Sequence, residues 1–290
     1  DVDGRYRGFD REIHEAKGFR YVTDLSLWDT FRTTHPLYAL LFPEIQRDSL
    51  QSLAAMTQQG GYVPRWPMGG GDGGSMIGAH GASVAADSVA KGLLDFDVKT
   101  LYAGLKATMS APLPPGAYGG LDGIKDFHKI GYVPRDDQSG SVSKTLEYAY
   151  NCACMATLAK AAGYPDDVAK WEGCAENYKN VWDAETGFFR ARLKDGSFYS
   201  PFDPKVWHFD SNPEYVEGSG WQWLFFVPHD DAGLRGLFGG DATFTKRLEF
   251  FLKESADNFS HLIPSMYYYH GNEPDIDAAW LFIEAGKPAR

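Results

Sequence analysis

Four segments of the sequence combine carboxylates with amides and aromatic rings. The first, residues 27–32, places Trp28 next to Asp29. Such a pair suits a pyranose sugar, because an indole ring stacks on the C–H face of the sugar while a carboxylate accepts hydrogen bonds from its hydroxyls. The alternative is structural, with Trp28 buried in a core and Asp29 paired with Arg32.

The second and third segments each centre on a glutamate. Glu147 lies among apolar and aromatic positions of a predicted helix, so its carboxylate needs a partner, which is either structural or a substrate. Glu217 is followed by small residues at 218–220, which leave space beside its carboxyl group. Nearby rings would raise the pKa of Glu217, as a general acid requires, but the pattern also suits an acid in the first turn of a helix.

The fourth segment, residues 267–275, offers oxygen ligands to a hard cation. Asn272 and Glu273 are adjacent, and Gly271 and Pro274 would fix the turn that presents them. The segment is too short for an EF-hand loop, so any metal site here is of another kind.

Signatures of several enzyme classes are missing. The glycine-rich run at residues 69–74 lacks the Lys-Ser/Thr ending of a phosphate-binding loop, and no Gly-x-Ser-x-Gly, His-Glu-x-x-His or Cys-x-x-Cys motif occurs. Serine hydrolases, zinc peptidases and zinc ribbons therefore lose their usual support. Chemistry based on carboxylates remains.

Composition narrows the class of protein further. The 290 residues, 43% of them hydrophobic, can fill a large core, and a net charge of -11 disfavours a nucleic-acid partner. No apolar run approaches the ~20 residues that cross a bilayer, and the first residues do not resemble a signal peptide, so the sequence itself is silent on export. Cys152 and Cys154 lie two apart on a predicted helix, and we interpret them as buried thiols, not as a metal site.

Apolar residues recur at helical spacing over most of the chain, which predicts a predominantly helical protein. The predicted helices cover residues 37–56, 79–93, 98–109, 142–158, 168–181, 215–227, 244–252 and 278–283. One β-hairpin interrupts them, with strand-like residues 187–192 and 197–200 around a Lys-Asp-Gly turn at 194–196.

A five-residue repeat indicates a repeating architecture. Residues 61–65 and 131–135 both read Gly-Tyr-Val-Pro-Arg, and each precedes a loop rich in Gly, Ser and Asp and then a helix. A toroid of helical hairpins would collect such corresponding loops at one end. No low-complexity linker divides the chain, so we predict one domain over residues 1–290.

In this order, the four segments resemble glycoside hydrolase family 92, whose members are mostly calcium-dependent exo-acting α-mannosidases. Similar stretches extend nearly end to end, at residues 3–8, 35–37, 61–66, 76–78, 86–92, 226–230 and 239–240. The resemblance implies an all-α fold, namely an α/α toroid of the six-hairpin type, here incomplete, with a small β-hairpin insertion. In the family a β-sandwich precedes the toroid, and both domains contribute to the active site.

The resemblance also implies a general acid, contacts for a terminal mannose and ligands for Ca2+. These candidates are Glu217 for the acid, Trp28 and Asp29 for the sugar, and Asn272 and Glu273 for Ca2+. Glu147 and His270, within the same four segments, are further candidates for contacting the sugar.

Departures from the family pattern affect these expectations. After Glu217 the family commonly reads Gly-Asn-Ala-Trp-Gln-Tyr, whereas this chain reads Gly-Ser-Gly-Trp-Gln-Trp, and Asn-Glu-Pro is followed by Asp-Ile-Asp where the family has one or two histidines. The acidic segment that supplies the family's general base lies downstream of the position of Arg290. We therefore expect the base to be missing from this chain, with Asp275 and Asp277 as the nearest substitutes.

The leading hypothesis is a catalytic core that removes terminal α-mannose from glycans, as in N-glycan processing, by calcium-assisted inverting hydrolysis. One alternative is a toroid glycosidase acting on α-glucosides, which would not account for the calcium segment. Another is a mannose-binding remnant without turnover. The resemblance also implies a secreted or periplasmic location, and the family's β-sandwich as partner if the chain belongs to a longer polypeptide.

Overall fold

Helices make up most of the regular structure, as their periodicity predicted. The computed structural model describes residues 3–117, 119–206, 214–257 and 266–289. The α-helices of these residues are α1 Leu27–Thr30, α2 Thr34–Leu41, α3 Pro43–Gly60, α4 His80–Ala90, α5 Val98–Ser110, α6 Ile124–Ile130, α7 Ser141–Ala162, α8 Val168–Ala175, α9 Asp231–Leu237, α10 Asp241–Asp257 and α11 Leu281–Glu284. None of the helices in these ranges has the length and apolar character needed to cross a membrane.

The strands are short and pair as antiparallel hairpins. They are β1 Arg5–Arg7 with β2 Ile13–Glu15, β3 Pro67–Met68 with β4 Gly71–Asp72, and β5 Trp182–Asp183 with β6 Phe188–Phe189.

The predicted hairpin around residues 194–196 is present, but its two strands pair over fewer residues than expected. Arg192 and Phe198 form a single antiparallel bridge, and the N–H of Leu193 donates to the carbonyl oxygen of Ser197 at 2.9 Å. The first residues of the predicted strand 187–192 form β6. This strand pairs with β5, which precedes it in the sequence. The sequence therefore predicted the pairing of this strand with residues 197–200 but not its second pairing, with β5.

Contacts between Cα atoms divide the chain into two compact units. Unit 1 comprises residues 1–128 and 147–176, and unit 2 comprises residues 129–146 and 177–290. The division falls within α7, whose first turns belong to unit 2 and whose remainder belongs to unit 1.

The core of unit 1 contains large rings whose polar atoms are satisfied. Tyr102 of α5 and Trp171 of α8 are buried, and Trp171 Nε1 donates to Tyr102 Oη at 3.0 Å. Tyr102 Oη in turn donates to Asp167 at 2.6 Å. Burying these rings therefore leaves no unpaired indole or hydroxyl group.

The core of unit 2 is a cluster of aromatic rings. Phe225 lies 5.7 Å from Phe244 and 5.2 Å from Phe251, measured between ring centroids. Because both partners belong to α10, this cluster joins that helix to the segment that carries Glu217.

Two long predicted helices are divided in the structure. Residues 37–56 form α2 and α3, separated at Phe42, because Pro43 suits the first turn of a helix but cannot donate within one. Residues 168–181 form α8 and then a 3-10 segment, Glu176–Val181.

Both copies of the repeated pentapeptide follow a helix. Gly61 after α3 and Gly131 after α6 have φ of 82° and 83°, the left-handed conformation that commonly ends a helix and that glycine adopts without a steric penalty. The repeat thus marks equivalent helix ends, followed in each case by a loop and a long helix, α4 or α7.

The predicted helix over residues 215–227 is wrong, because residues 220–225 form consecutive turns. Every residue from 218 to 227 is buried, so the apolar spacing there does not report one face of a helix. Glu217 has φ of 44°, and Trp223 Nε1 donates to the carbonyl oxygen of Val216 at 2.9 Å. Side chains thus make hydrogen bonds that a helix would make within its own backbone.

The interpretation of the cysteines is right for Cys154 and wrong for Cys152. Cys154 is a buried free thiol, and burial raises its pKa to about 12. Cys152 forms a disulfide with Cys174, and their Cα atoms lie 5.9 Å apart. The sequence interpretation considered only Cys152 and Cys154, which lie on one helix. The disulfide instead joins α7 to α8, which are neighbours in the tertiary structure.

Candidate active site

The carboxylate of Glu147 is the centre of a buried polar cluster in unit 1. Glu147 is 0% exposed and lies on α7. Trp28 Nε1 donates to Glu147 Oε1 at 3.0 Å, and Arg32 Nη2 lies 3.4 Å from the same oxygen. His80 Nε2 lies 3.2 Å from Oε2. A buried carboxylate is costly without partners. The structure supplies hydrogen-bond partners at Oε1, whereas His80 lies within ion-pair distance of Oε2 without hydrogen-bond geometry.

Arg32 and His80, the two groups beside this carboxylate, also pack against aromatic rings. The guanidinium group of Arg32 lies 4.5 Å from the ring centroid of Trp28 and 4.2 Å from that of Phe31. His80 stacks on the other ring, Phe31, at 4.1 Å. Burial lowers the pKa of His80 although Glu147 beside it acts in the opposite direction. Arg32 therefore supplies the positive charge that balances Glu147.

Trp28 and Asp29 lie on the single-turn helix α1, and their environments differ. Trp28 is 1% exposed, its indole N–H is used by Glu147, and Arg32 covers its ring. Asp29 is half-buried. Arg32 contacts Glu147, whereas the structural alternative paired it with Asp29. Sugar contacts of Trp28 and Asp29 stay predictions.

Glu217 in unit 2 has an unusual backbone conformation. A φ of 44° lies in the left-handed region, which costs a non-glycine residue of order 1–3 kcal/mol and persists where neighbours hold it. The neighbours are Ser143 Oγ, which accepts from the N–H of Val216 at 2.9 Å, and Asn272 Nδ2, which donates to the carbonyl oxygen of Glu217 at 2.9 Å. The side chain of Glu217 is half-buried.

The third and fourth sequence segments meet around this glutamate. Ser219 Oγ donates to the carbonyl oxygen of Met266 at 2.6 Å, and Gln222 Nε2 donates to that of Tyr267 at 3.2 Å. With the bond from Asn272 to Glu217, these contacts place the predicted acid and one predicted metal ligand in one hydrogen-bonded structure.

The remaining candidates of this segment differ in exposure. Asp275 is 0% exposed, accepts from the N–H of Tyr269 at 3.0 Å, and has a pKa that burial raises well above its usual range. His270 is exposed, and its Nδ1 lies 2.7 Å from Tyr268 Oη. Glu273 is half-buried at the start of the 3-10 segment Glu273–Asp275.

The calcium prediction can be compared with the donors present. Asn272 uses its Nδ2 toward Glu217, which leaves Oδ1 as an acceptor, and the adjacent Glu273 carries a carboxylate. Both are oxygen donors of the kind Ca2+ takes, but it needs roughly six to eight. In the part of the chain that the structure describes, no group of three or more His, Cys, Asp or Glu residues is arranged to hold a metal ion. The two residues therefore match Ca2+ in the kind of donor, but alone they would be fewer than the ion needs, and the calcium site stays a prediction.

Sequence reasoning missed His80 and did not connect Arg32 with Glu147. Glu147 is 115 residues from Arg32 in sequence, so no local spacing connects them. The one available signal was the need of a buried acid for cationic or donor partners, which does not say which residues provide them.

Comparisons with known proteins agree along the whole chain. The family model for the glycosyl hydrolase family 92 catalytic domain matches residues 1–290. A family 92 α-mannosidase from Bacteroides thetaiotaomicron, solved in complex with mannoimidazole, is 33% identical to this chain, with a TM-score of 0.89. The match covers 100% of this chain and 38% of the mannosidase. A family 92 inverting mannosidase from the same organism is 30% identical with a TM-score of 0.78, over 99% of this chain and 37% of its own.

A curated relative shows the same relation. An uncharacterised secreted glycosidase from Arthroderma benhamiae is 28% identical over 272 residues, which is 83% of this chain and 33% of that protein. The chain thus spans about a third of the length of the relatives that it matches. The predicted fold class, the helices of an α/α toroid with small β-hairpins, is confirmed by the structural likeness.

Proposed function

This chain belongs to glycoside hydrolase family 92, and we propose that it removes terminal α-mannose from glycans by inverting hydrolysis, with Glu217 as the general acid. The observation that carries the proposal is the left-handed conformation of Glu217, which Ser143 and Asn272 hold through hydrogen bonds to the backbone of Val216 and Glu217. Backbone conformations of this kind cluster at active sites. The two family 92 mannosidases of similar structure support the substrate class.

In the proposed reaction, the carboxyl group of Glu217 gives its proton to the glycosidic oxygen as the bond from that oxygen to C1 of mannose breaks. The leaving alcohol departs neutral, and Glu217 becomes a carboxylate. A Cβ at the next residue, Gly218, would lie 3.0 Å from Trp223 Nε1, whose N–H anchors Val216. Glycine at this position therefore preserves the support of the acid.

Inversion also requires a second carboxylate that activates water on the opposite face of the sugar. Asp275 suits this role poorly, because a base must be ionised and reach water, whereas Asp275 is fully buried with a raised pKa. We assign the base to polypeptide outside residues 1–290, as the family resemblance implies.

Asp29 is the proposed sugar contact of unit 1, since it is half-buried and can accept hydrogen bonds from hydroxyls. Glu147 acts as a positioning residue for it, because its carboxylate fixes the indole of the adjacent Trp28. His270 is a further proposed sugar contact, because its exposed ring can form hydrogen bonds.

Asn272 Oδ1 and the carboxylate of Glu273 are the proposed protein ligands of Ca2+. When bound, the ion would supply electrostatic stabilisation beside the sugar. Chelation is expected to weaken binding of mannoimidazole strongly, and added calcium should restore it. Equal affinity before and after chelation would remove the metal from the proposal.

The protein is proposed to act outside the cytosol. The disulfide between Cys152 and Cys174 is typical of oxidising compartments, and the curated relative is a secreted glycosidase.

The replacement Glu217→Gln tests the assignment of the acid. In the hydrolytically active polypeptide it should slow cleavage of natural mannosides by about 10²- to 10⁴-fold, but slow an activated aryl mannoside much less, because a good leaving group needs little protonation. Glu284→Gln, at an exposed position of α11, is the matched control and should leave both rates unchanged. Equal loss on both substrates would show that Glu217 binds or supports structure instead.

A further inference from the structure

One cavity of unit 2 is lined by none of the residues proposed for catalysis. It has a volume of about 500 Å³ and lies between the hairpin β5–β6 and helices α9 and α10. Its lining combines aromatic rings, two cations and one acid, and includes Trp182, Phe238, Phe250, Lys246, Arg247 and Glu185.

Arg247 is the central feature of this cavity. It is half-buried, and its guanidinium group lies 4.6 Å from the ring centroid of Phe188 and 4.3 Å from that of Trp221. Within the described ranges it has no ion pair or hydrogen bond, and its Nε is buried without an acceptor. Burial lowers the pKa of Arg247, with no carboxylate to oppose the effect. A partly desolvated cation without an anion is unfavourable, so this group is suited to receive one.

The other charges of the lining define the ligand more closely. Lys246 and Glu185 also form no ion pair with another described residue, so two cations and one carboxylate leave one net positive charge in a chain of net charge -11. A site for a bare anion would gain nothing from Glu185, because like charges repel. A ligand with hydroxyl groups would gain, because a carboxylate accepts hydrogen bonds from them.

We propose that this cavity binds an anionic sugar. Its oxyanion lies against Arg247 and Lys246, since a guanidinium group matches the two oxygens of such a group. The hydroxyls of the sugar donate to Glu185, and its C–H face packs on the exposed surface of Trp182 or Phe250. Nothing in this assignment depends on the proposed mannosidase activity.

The probes are glucuronate, glucose and acetate, which separate the sugar from the anion. Calorimetric titration should give tighter binding of glucuronate than of either glucose or acetate. Lys246→Gln and Arg247→Met should each weaken glucuronate binding by about tenfold, the effect of losing a charge-assisted hydrogen bond. Lys253→Gln is the matched control, because Lys253 lies exposed on the same helix outside the lining and its replacement changes the charge equally.

Two further measurements keep the result interpretable. Circular dichroism of Arg247→Met establishes folding, because that side chain packs on Trp221, and Lys246→Gln provides an independent variant at an exposed side chain. Equal affinity for acetate and glucuronate would overturn the sugar assignment. Absence of glucuronate binding, or an equal loss in Lys253→Gln, would overturn the site.

Discussion

At the scale of single residues, the cluster around Glu147 shows how a buried charge is made tolerable. One carboxylate has an indole N–H, a guanidinium group and an imidazole within 3.4 Å. The arrangement is stable only while both charges are present, since a buried pair that loses one partner leaves the other uncompensated.

Glu147→Gln is expected to destabilise the protein by about 3–5 kcal/mol, because the amide keeps the shape of the side chain but leaves Arg32 without its negative partner. Chemical denaturation measures the change. Glu172→Gln removes an exposed carboxylate that pairs with Lys160 and should cost about 0–1 kcal/mol. Similar losses for both variants would contradict the role of the buried pair.

The histidine of the same cluster predicts a dependence of stability on pH. Burial holds the pKa of His80 below its ordinary value of 6.5, so at acid pH the unfolded chain takes up the proton first. The contribution of His80 to the free energy of unfolding should therefore be constant above pH 6.5. It should fall as pH decreases from 6.5 through the folded pKa, by up to about 1.4 kcal/mol per pH unit per proton.

His80→Gln separates titration from packing. The difference from the parent protein at pH 8 reports lost packing, and the change in that difference down to pH 5 reports titration. His35 and His128 also have pKa values lowered by burial, so the variant should keep part of the slope. An unchanged slope in the variant would show that His80 does not contribute.

The candidate site was partly predictable at this scale. Glu217 and Asn272 were identified from their neighbours in sequence, and the structure joins them by a hydrogen bond. The left-handed conformation of Glu217 was not predicted, because its causes include Ser143 and Asn272, which are distant in sequence.

At the scale of elements, prediction succeeded where an amphipathic pattern was present. Residues 98–109 were expected to be helical and form α5, Val98–Ser110. The pattern failed at residues 218–227, where every side chain is buried and no face can be recognised. The pairing of Cys152 with Cys174 was also beyond the pattern, because it depends on how α7 packs against α8.

Loss of that disulfide should lower the free energy of unfolding by about 3 kcal/mol, as expected for a bond that spans 22 residues. The double variant Cys152→Ala with Cys174→Ala and the reduced parent protein should be destabilised to a similar extent. Reducing agent should not change the double variant further. If reducing agent leaves the stability of the parent protein unchanged, the bond does not form in solution.

At the scale of the whole molecule, the resemblance to glycoside hydrolase family 92 predicted the fold class correctly, because the matching motifs extend along the chain. The matched relatives are about three times as long, so residues 1–290 hold a part of what such proteins contain. Periodicity specified helices, whereas the proposed activity also needs a second carboxylate, which helical periodicity cannot identify.

Turnover of α-mannosides by residues 1–290 alone is expected to be slow. Inverting hydrolysis needs two carboxyl groups roughly 6.5–9.5 Å apart. With Glu217 as acid and Asp275 buried, residues 1–290 alone should hydrolyse α-mannosides about 10²- to 10⁴-fold more slowly than a polypeptide extended to the length of the structural relatives. Release of mannose measures both. Robust turnover by residues 1–290, abolished by Asp275→Asn or Asp277→Asn, would place the base within this chain.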